Sequence, residues 1–258
     1  MIPPGHIDYR CDGPLATLTL DNPQVDNRID AAMAEELRDA CGTICQDDSV
    51  RLVVITGKGI SFSVGRTDLA DCQGPAGGLD SVLKHQAAAS LAELPVPVLA
   101  AVNGDALDQG LELALAADLR IAAADARFGF DGLGQGPIPW DGGTQRLPRL
   151  IGPSWALDMI LTGRMIDANL ALEIGLVNCV VPADKLLNET RKLAEKVLAG
   201  APIAARYAKE AVQKGMDLPL DQGLRLEADL NILLHSTSDR AEGLQAFREK
   251  RDAKFSGR

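Results

Sequence analysis

Within the 258-residue chain, one acid stands where acids are costly. In Gly110-Leu-Glu112-Leu-Ala-Leu-Ala-Ala-Asp118, Glu112 interrupts a run of apolar and small residues. Inside a buried helix such a carboxylate must be solvated, paired or neutralised. At the first turn of an exposed helix the same residue would simply meet the helix dipole. The local pattern leaves both readings open, and the setting favours chemistry. Asn103-Gly104 closes an apolar stretch, and Asp108-Gln109-Gly110 leads into the helix. Free N–H groups at a helix start can hold an oxyanion. An acid one turn further on can exchange protons with carbon or water beside it.

The elements that must position this segment follow from periodicity and punctuation. Two short strands are expected over residues 6–20, with alternation in Leu15-Ala-Thr-Leu-Thr-Leu20 stopped by Asp21-Asn22-Pro23. Helical spacing over 31–45 has Asp30 as its N-cap. Buried strands are expected at 52–55 and 98–102, with a helix over 79–94 between them. A helix over 110–117, a strand from 119 and a short one over 126–130 come next, then a Gly-rich loop over 129–143. Helices over 155–161, 167–173, 186–198, 203–214 and 218–235 follow, with one late strand at 177–181. The charged segment 239–255 reads as a last exposed helix. Alternating strands and helices indicate an α/β fold with parallel strands. The expected division is a core over 1–195 and a helical C-terminal region over 196–258.

Composition narrows the function. A net charge of -10 argues against a nucleic-acid binder. No apolar run approaches the ~20 residues that span a bilayer. The start, Met1-Ile-Pro-Pro-Gly-His6, lacks the basic and apolar regions of a signal peptide, so a cytoplasmic location is expected. Five irregularly spaced cysteines do not suggest a disulfide framework or a metal site. His6, His85 and His235 fall in no triad motif.

Val102-Asn-Gly-Asp-Ala-Leu-Asp-Gln-Gly-Leu-Glu-Leu-Ala114 resembles the signature of the crotonase (enoyl-CoA hydratase/isomerase) superfamily. Phe62-Ser-Val-Gly65 with Thr67-Asp68-Leu69, then Ala126-Arg-Phe-Gly129, resemble further family segments in order. So do Gly142-Gly-Thr-Gln-Arg-Leu147, Leu161-Thr-Gly163 and Ala246-Phe-Arg-Glu-Lys-Arg251. The resemblance covers nearly the whole chain. It implies a spiral of ββα units and a helical C-terminal region that drives trimer formation, as a homotrimer or a dimer of trimers. It implies an acyl-CoA substrate, with no separate cofactor or metal and no nucleic-acid or membrane partner. Two backbone N–H groups would polarise the thioester carbonyl, one from Arg66 or Thr67 and one from Gln109. Glu112 matches the first of the two family glutamates. Coenzyme A contacts are implied at Asn27, Ile29, Gly65, Asp68 and Leu69, and at Phe247 and Lys250, often from a neighbouring subunit.

The chain departs from the pattern in two places. Asp108-Gln109 replaces Gly-Gly, making that side of the pocket more polar and narrower. The second glutamate falls on Gly132. Asp141 is close enough to compensate, as base, nucleophile or water orienter, or it caps the helix that follows it. Asp131 is a further candidate, or a turn acid. Trp140 would line the acyl pocket or fill the core. The leading expectation is hydration of an unsaturated acyl-CoA, cyclic or dienoyl forms included, with Asp141 as second acid. The alternatives are a C–C bond hydrolase acting on a cyclic diketone or β-ketoacyl-CoA, an enoyl-CoA isomerase, and a non-catalytic CoA-binding subunit.

Overall fold

The computed structural model describes residues 4–65, 83, 85–131 and 138–258. The chain opens with an antiparallel hairpin of β1 (His6–Asp12) and β2 (Leu15–Asp21). Helix α1 (Ala31–Gln46) follows, capped by Asp30, whose carboxylate accepts the Met33 N–H. Three ββα turns come next. The first is β3 (Leu52–Gly57), β4 (Ser63–Val64) and α2 (Ala88–Ala92). The second is β5 (Val98–Val102), β6 (Ala106–Leu107) and α3 (Gln109–Ala116). The third is β7 (Leu119–Ala123), β8 (Arg127–Gly129) and α4 (Gly143–Ile151). Each turn adds one strand to a large sheet and one to a small sheet. The large sheet runs β1-β2-β3-β5-β7-β10, parallel from β2 onward. The small one runs β4-β6-β8-β9. Helices α5 (Pro153–Thr162) and α6 (Ala168–Glu173), with β9 (Ile166–Asp167) and β10 (Cys179–Val181), close the core.

The large sheet is buried on both faces, which is why β3 and β5 read as unbroken apolar runs. Val53, Ile55, Val98 and Ala100 face the main core with α1 and α3. Leu52, Val54, Leu99 and Ala101 face the other way, against Leu186 and Ala194 of α7 (Leu186–Leu198). The division expected after residue 195 therefore falls inside a helix that packs on the sheet. Three more helices follow: α8 (Pro202–Gly215), α9 (Leu220–Leu234) and α10 (Ser238–Glu249). The last is shorter than the segment 239–255 suggested. It stops at Lys250, which takes a left-handed φ of 54°. Of the helix expected over 79–94, residues 83 and 85–94 are described; Gln86 and Ala87 are not helical, and α2 occupies only Ala88–Ala92, while residues 66–82 and 84 lie outside the described residues. Among the described residues, no helix is long and apolar enough to cross a membrane.

Helix α3 is held at its far end by a buried cation. Arg120 donates to the carbonyls of Ala117 at 2.5 Å, Leu176 at 2.7 Å and Ala114 at 3.4 Å. Burial draws the Arg120 guanidinium down to about 10, opposed by Asp118, so it stays charged at neutral pH. A cation at the last turn also suits the helix dipole. Replacing Arg120 by Met would strand these carbonyls without donors. We expect a loss of about 3 kcal/mol in urea unfolding; a change under about 0.5 kcal/mol would refute this clamp.

Candidate active site

Helix α3 begins where two strand exits lie side by side. β4 and β6 are parallel neighbours, so the chain leaves both in the same direction. After β4, the Gly65 N–H donates to the Leu107 carbonyl at 3.0 Å, and its carbonyl accepts the Ile29 N–H at 3.0 Å. After β6, the Asp108 N–H donates to the Gly129 carbonyl at 2.9 Å. Asp108 has φ 48° and ψ -121°, a strained conformation for a side-chain-bearing residue, costing about 1–3 kcal/mol. That turn aims α3 across β4. Gly110 makes the close approach possible, since a Cβ there would fall 2.0 Å from the Ser63 carbonyl oxygen.

The approach buries the first turn of α3. Gln109 is 0% exposed and Glu112 1%. Glu112 does not meet solvent as an ordinary first-turn acid would. Its Oε1 accepts two main-chain N–H groups, from Asp141 at 2.7 Å and Gly143 at 2.9 Å. Two convergent donors fix the carboxylate against the loop that enters α4. Phe130 and Pro139 supply an apolar wall there.

Asp141 is also buried, at 3%. Its Oδ2 accepts the N–H groups of Ala87 at 2.8 Å and Ala88 at 3.0 Å, and the Gln109 Nε2 at 3.0 Å. Gln109 Nε2 donates as well to the His85 carbonyl. Asp141 is thus a cap, but of α2 rather than of the helix that follows it. The sequence named the right kind of bond and the wrong helix, because the partners lie more than fifty residues upstream. Through its side chain Asp141 secures Gln109, and through its main chain it secures Glu112.

The other expected residues separate into groups. Asn27, Ile29 and Gly65 do come together. The Asn27 side chain is spent on internal bonds, accepting the Asn22 N–H at 2.9 Å and donating to the Lys58 and Ser61 carbonyls at 2.8 Å. Ile29 and Gly65 commit their N–H groups to main-chain carbonyls. Asp131 is exposed, and its N–H donates to Asp108 Oδ1 at 2.9 Å. Trp140 is half-buried, next to Asp141. Phe247 and Lys250 lie at the end of α10, where the Phe247 ring is 83% exposed. Arg66, Thr67, Asp68, Leu69 and Gly132 lie outside the described residues. What the sequence did not reveal is the Gln109 amide as a bridge, and the two N–H groups that hold Glu112. Neither leaves a local signal.

A methyl group at Gly143 would fall 2.8 Å from Pro139 Cβ, 3.0 Å from Phe130 Cζ and 3.1 Å from Glu112 Oε1. Gly143→Ala should therefore lower stability by about 1–3 kcal/mol in chemical denaturation, as overpacking does. A crystal structure of the variant should show Glu112 Oε1 displaced from the Asp141 N–H. An unmoved carboxylate at unchanged stability would show that the wall is looser than described.

Comparison with known proteins bears on the same site. The family model described as enoyl-CoA hydratase/isomerase matches residues 11–258. Crotonyl-CoA hydratase of Syntrophomonas wolfei is 39% identical over 245 residues, 93% of this chain and 94% of that protein. (E)-Benzylidenesuccinyl-CoA hydratase of Thauera aromatica is 36% identical over 246 residues, 94% of this chain and 96% of that protein. The crystal structure of an enoyl-CoA hydratase from Bacillus anthracis superposes with a TM-score of 0.91 at 38% identity, covering 99% of this chain and 100% of that one. With its ββα spiral and with these relatives along nearly its full length, the chain belongs to the enoyl-CoA hydratase/isomerase family, an enzyme of the crotonase superfamily.

Proposed function

We propose that this enzyme adds water across the double bond of an α,β-unsaturated acyl-CoA, with Glu112 as the acid–base group. The observation that carries this reading is the burial of Glu112 beneath two main-chain N–H donors, one turn from the start of α3. Hydration of a thioester needs donors at the carbonyl oxygen and a base beside the double bond. The first donor is the Gln109 N–H, at a helix start with no intrahelical acceptor. The second is assigned to Arg66 or Thr67, on the family resemblance of the Phe62-Ser-Val-Gly65 segment and its continuation. Coenzyme A enters as part of the substrate, and no other cofactor is needed.

The step balances with one carboxylate. Water gives a proton to Glu112 as its oxygen bonds to Cβ. The double-bond electrons move toward the thioester, and the oxyanion donors hold the resulting enolate. Glu112 then delivers a proton to Cα and returns to its starting state. Asp141 spends Oδ2 on three N–H donors, which favours a positioning role over the second acid expected from the sequence. Asp131, exposed, stays outside the reaction.

The acyl group is the finer question. Trp140, half-buried beside Asp141, suits a ring-bearing or dienoyl chain, and the Thauera aromatica relative is named for a benzylidene acyl group. Phe247 and Lys250 would meet coenzyme A from a neighbouring subunit. Exposed Val212, Met216, Leu220, Leu224 and Ile232 on α8, α9 and the turn between them support self-association, as a trimer or a dimer of trimers. Free thiols at Cys11, Cys41, Cys45 and Cys179 support a reducing, cytoplasmic setting.

The test is to incubate the enzyme with a panel of straight-chain and cyclic 2-enoyl-CoA thioesters in oxygen-18 water. The product should gain one labelled water with its carbon skeleton intact. Glu112→Gln should lower kcat by about 10²-fold or more, as expected for loss of an acid–base group. Cleavage of the carbon skeleton would indicate the C–C hydrolase, and double-bond migration without label the isomerase. An undiminished rate in Glu112→Gln would remove Glu112 from the chemistry.

A further inference from the structure

The Gln109 side chain carries a buried polar atom with no partner among the described residues. Gln109 is fully enclosed, and its Oε1 meets no hydrogen-bond donor among the described residues. The amide cannot be turned to relieve this, because Nε2 already faces two acceptors, the His85 carbonyl and Asp141 Oδ2. A buried amide oxygen without a donor costs about 1–3 kcal/mol. A site that keeps such an atom, with its nitrogen end clamped twice, is built to receive a hydrogen-bond donor. Gln109 and Glu112 are three residues apart on α3 and share a face of the helix. Both are tied to the same neighbour: the Asp141 side chain takes the Gln109 amide, and the Asp141 N–H takes Glu112 Oε1.

We propose that Gln109 Oε1 and Glu112 together hold the water that reacts, which makes the Gln109 side chain a catalytic group as well as a bridge. The assignment rests on hydration being the reaction. Attacking water carries two hydrogens. One passes to Glu112 as oxygen bonds to Cβ, and the other stays on oxygen and becomes the product hydroxyl hydrogen. Gln109 Oε1 accepts that second hydrogen throughout. With both hydrogens fixed, a lone pair of the water is directed at Cβ. A neutral amide suits this place because it accepts a hydrogen bond without competing for the transferred proton. It also adds no third negative charge beside Asp141 and Glu112.

The experiment compares two reactions of the full-length enzyme as wild type, Gln109→Met and Gln109→Gly. The first is hydration of a 2-enoyl-CoA. The second is exchange of the α-hydrogen of the matching saturated acyl-CoA with deuterium oxide, which uses the oxyanion donors and Glu112 but adds no water. Loss of one water-directing hydrogen bond should lower the ratio of hydration to exchange about tenfold or more in both variants. Gln109→Gly carries the residue of the family signature, so it keeps the test alive if the Met variant does not fold. If hydration and exchange fall together, the amide only braces Asp141 and the proposal is overturned. It is overturned equally if neither falls. Exchange without hydration in the wild type would instead remove the hydratase reading itself.

Discussion

Everything about this site depends on how one buried carboxylate is satisfied. Glu112 sits in an apolar helix at 1% exposure, where an unpaired charge would cost several kcal/mol. The main chain of a distant loop supplies two N–H groups to a single oxygen. Main-chain donors have the advantage of position, because they move only if the loop moves. The loop is fixed in turn by Asp141, whose carboxylate anchors it to the start of α2 and to Gln109. The geometry around Glu112 is thus a consequence of how three helix starts are packed against one another.

The charges at the two ends of α3 are arranged in the direction the helix dipole favours. Glu112 lies in the first turn and Arg120 closes the last carbonyls. The strain of Asp108 belongs to the same design. A left-handed turn is needed to bring α3 over β4, and the chain achieves it with an aspartate where the family signature has glycine. The aspartate side chain then accepts the Asp131 N–H, which ties the exit of β8 to the exit of β6.

Much of this was legible in the sequence, and the boundary between legible and hidden is physical. β3 and β5 were readable because a strand buried on both faces must be apolar throughout. Glu112 was readable because one acid in such a run has to be explained. The Asp30 cap was readable because its partner is three residues away. The strands β4, β6 and β9 were not, since two residues carry no periodicity and exist only through their neighbours in the small sheet. The cap made by Asp141 was assigned to the adjacent helix because local chemistry cannot point to Ala87 and Ala88. Gln109 was seen as a backbone donor, and its side chain was treated as an obstruction. Only the fold places its amide between Asp141 and His85.

In the proposed reaction Glu112, held by the Asp141 and Gly143 N–H groups, faces the reacting carbons while α3 receives the thioester oxygen. The most direct measurement is a crystal structure of the enzyme with an unreactive enoyl-CoA analogue. The carbonyl oxygen should lie within hydrogen-bond distance of the Gln109 N–H, with the Glu112 carboxylate beside Cα and Cβ. An acyl chain that runs elsewhere, leaving Glu112 enclosed and out of its reach, would contradict this role for Glu112.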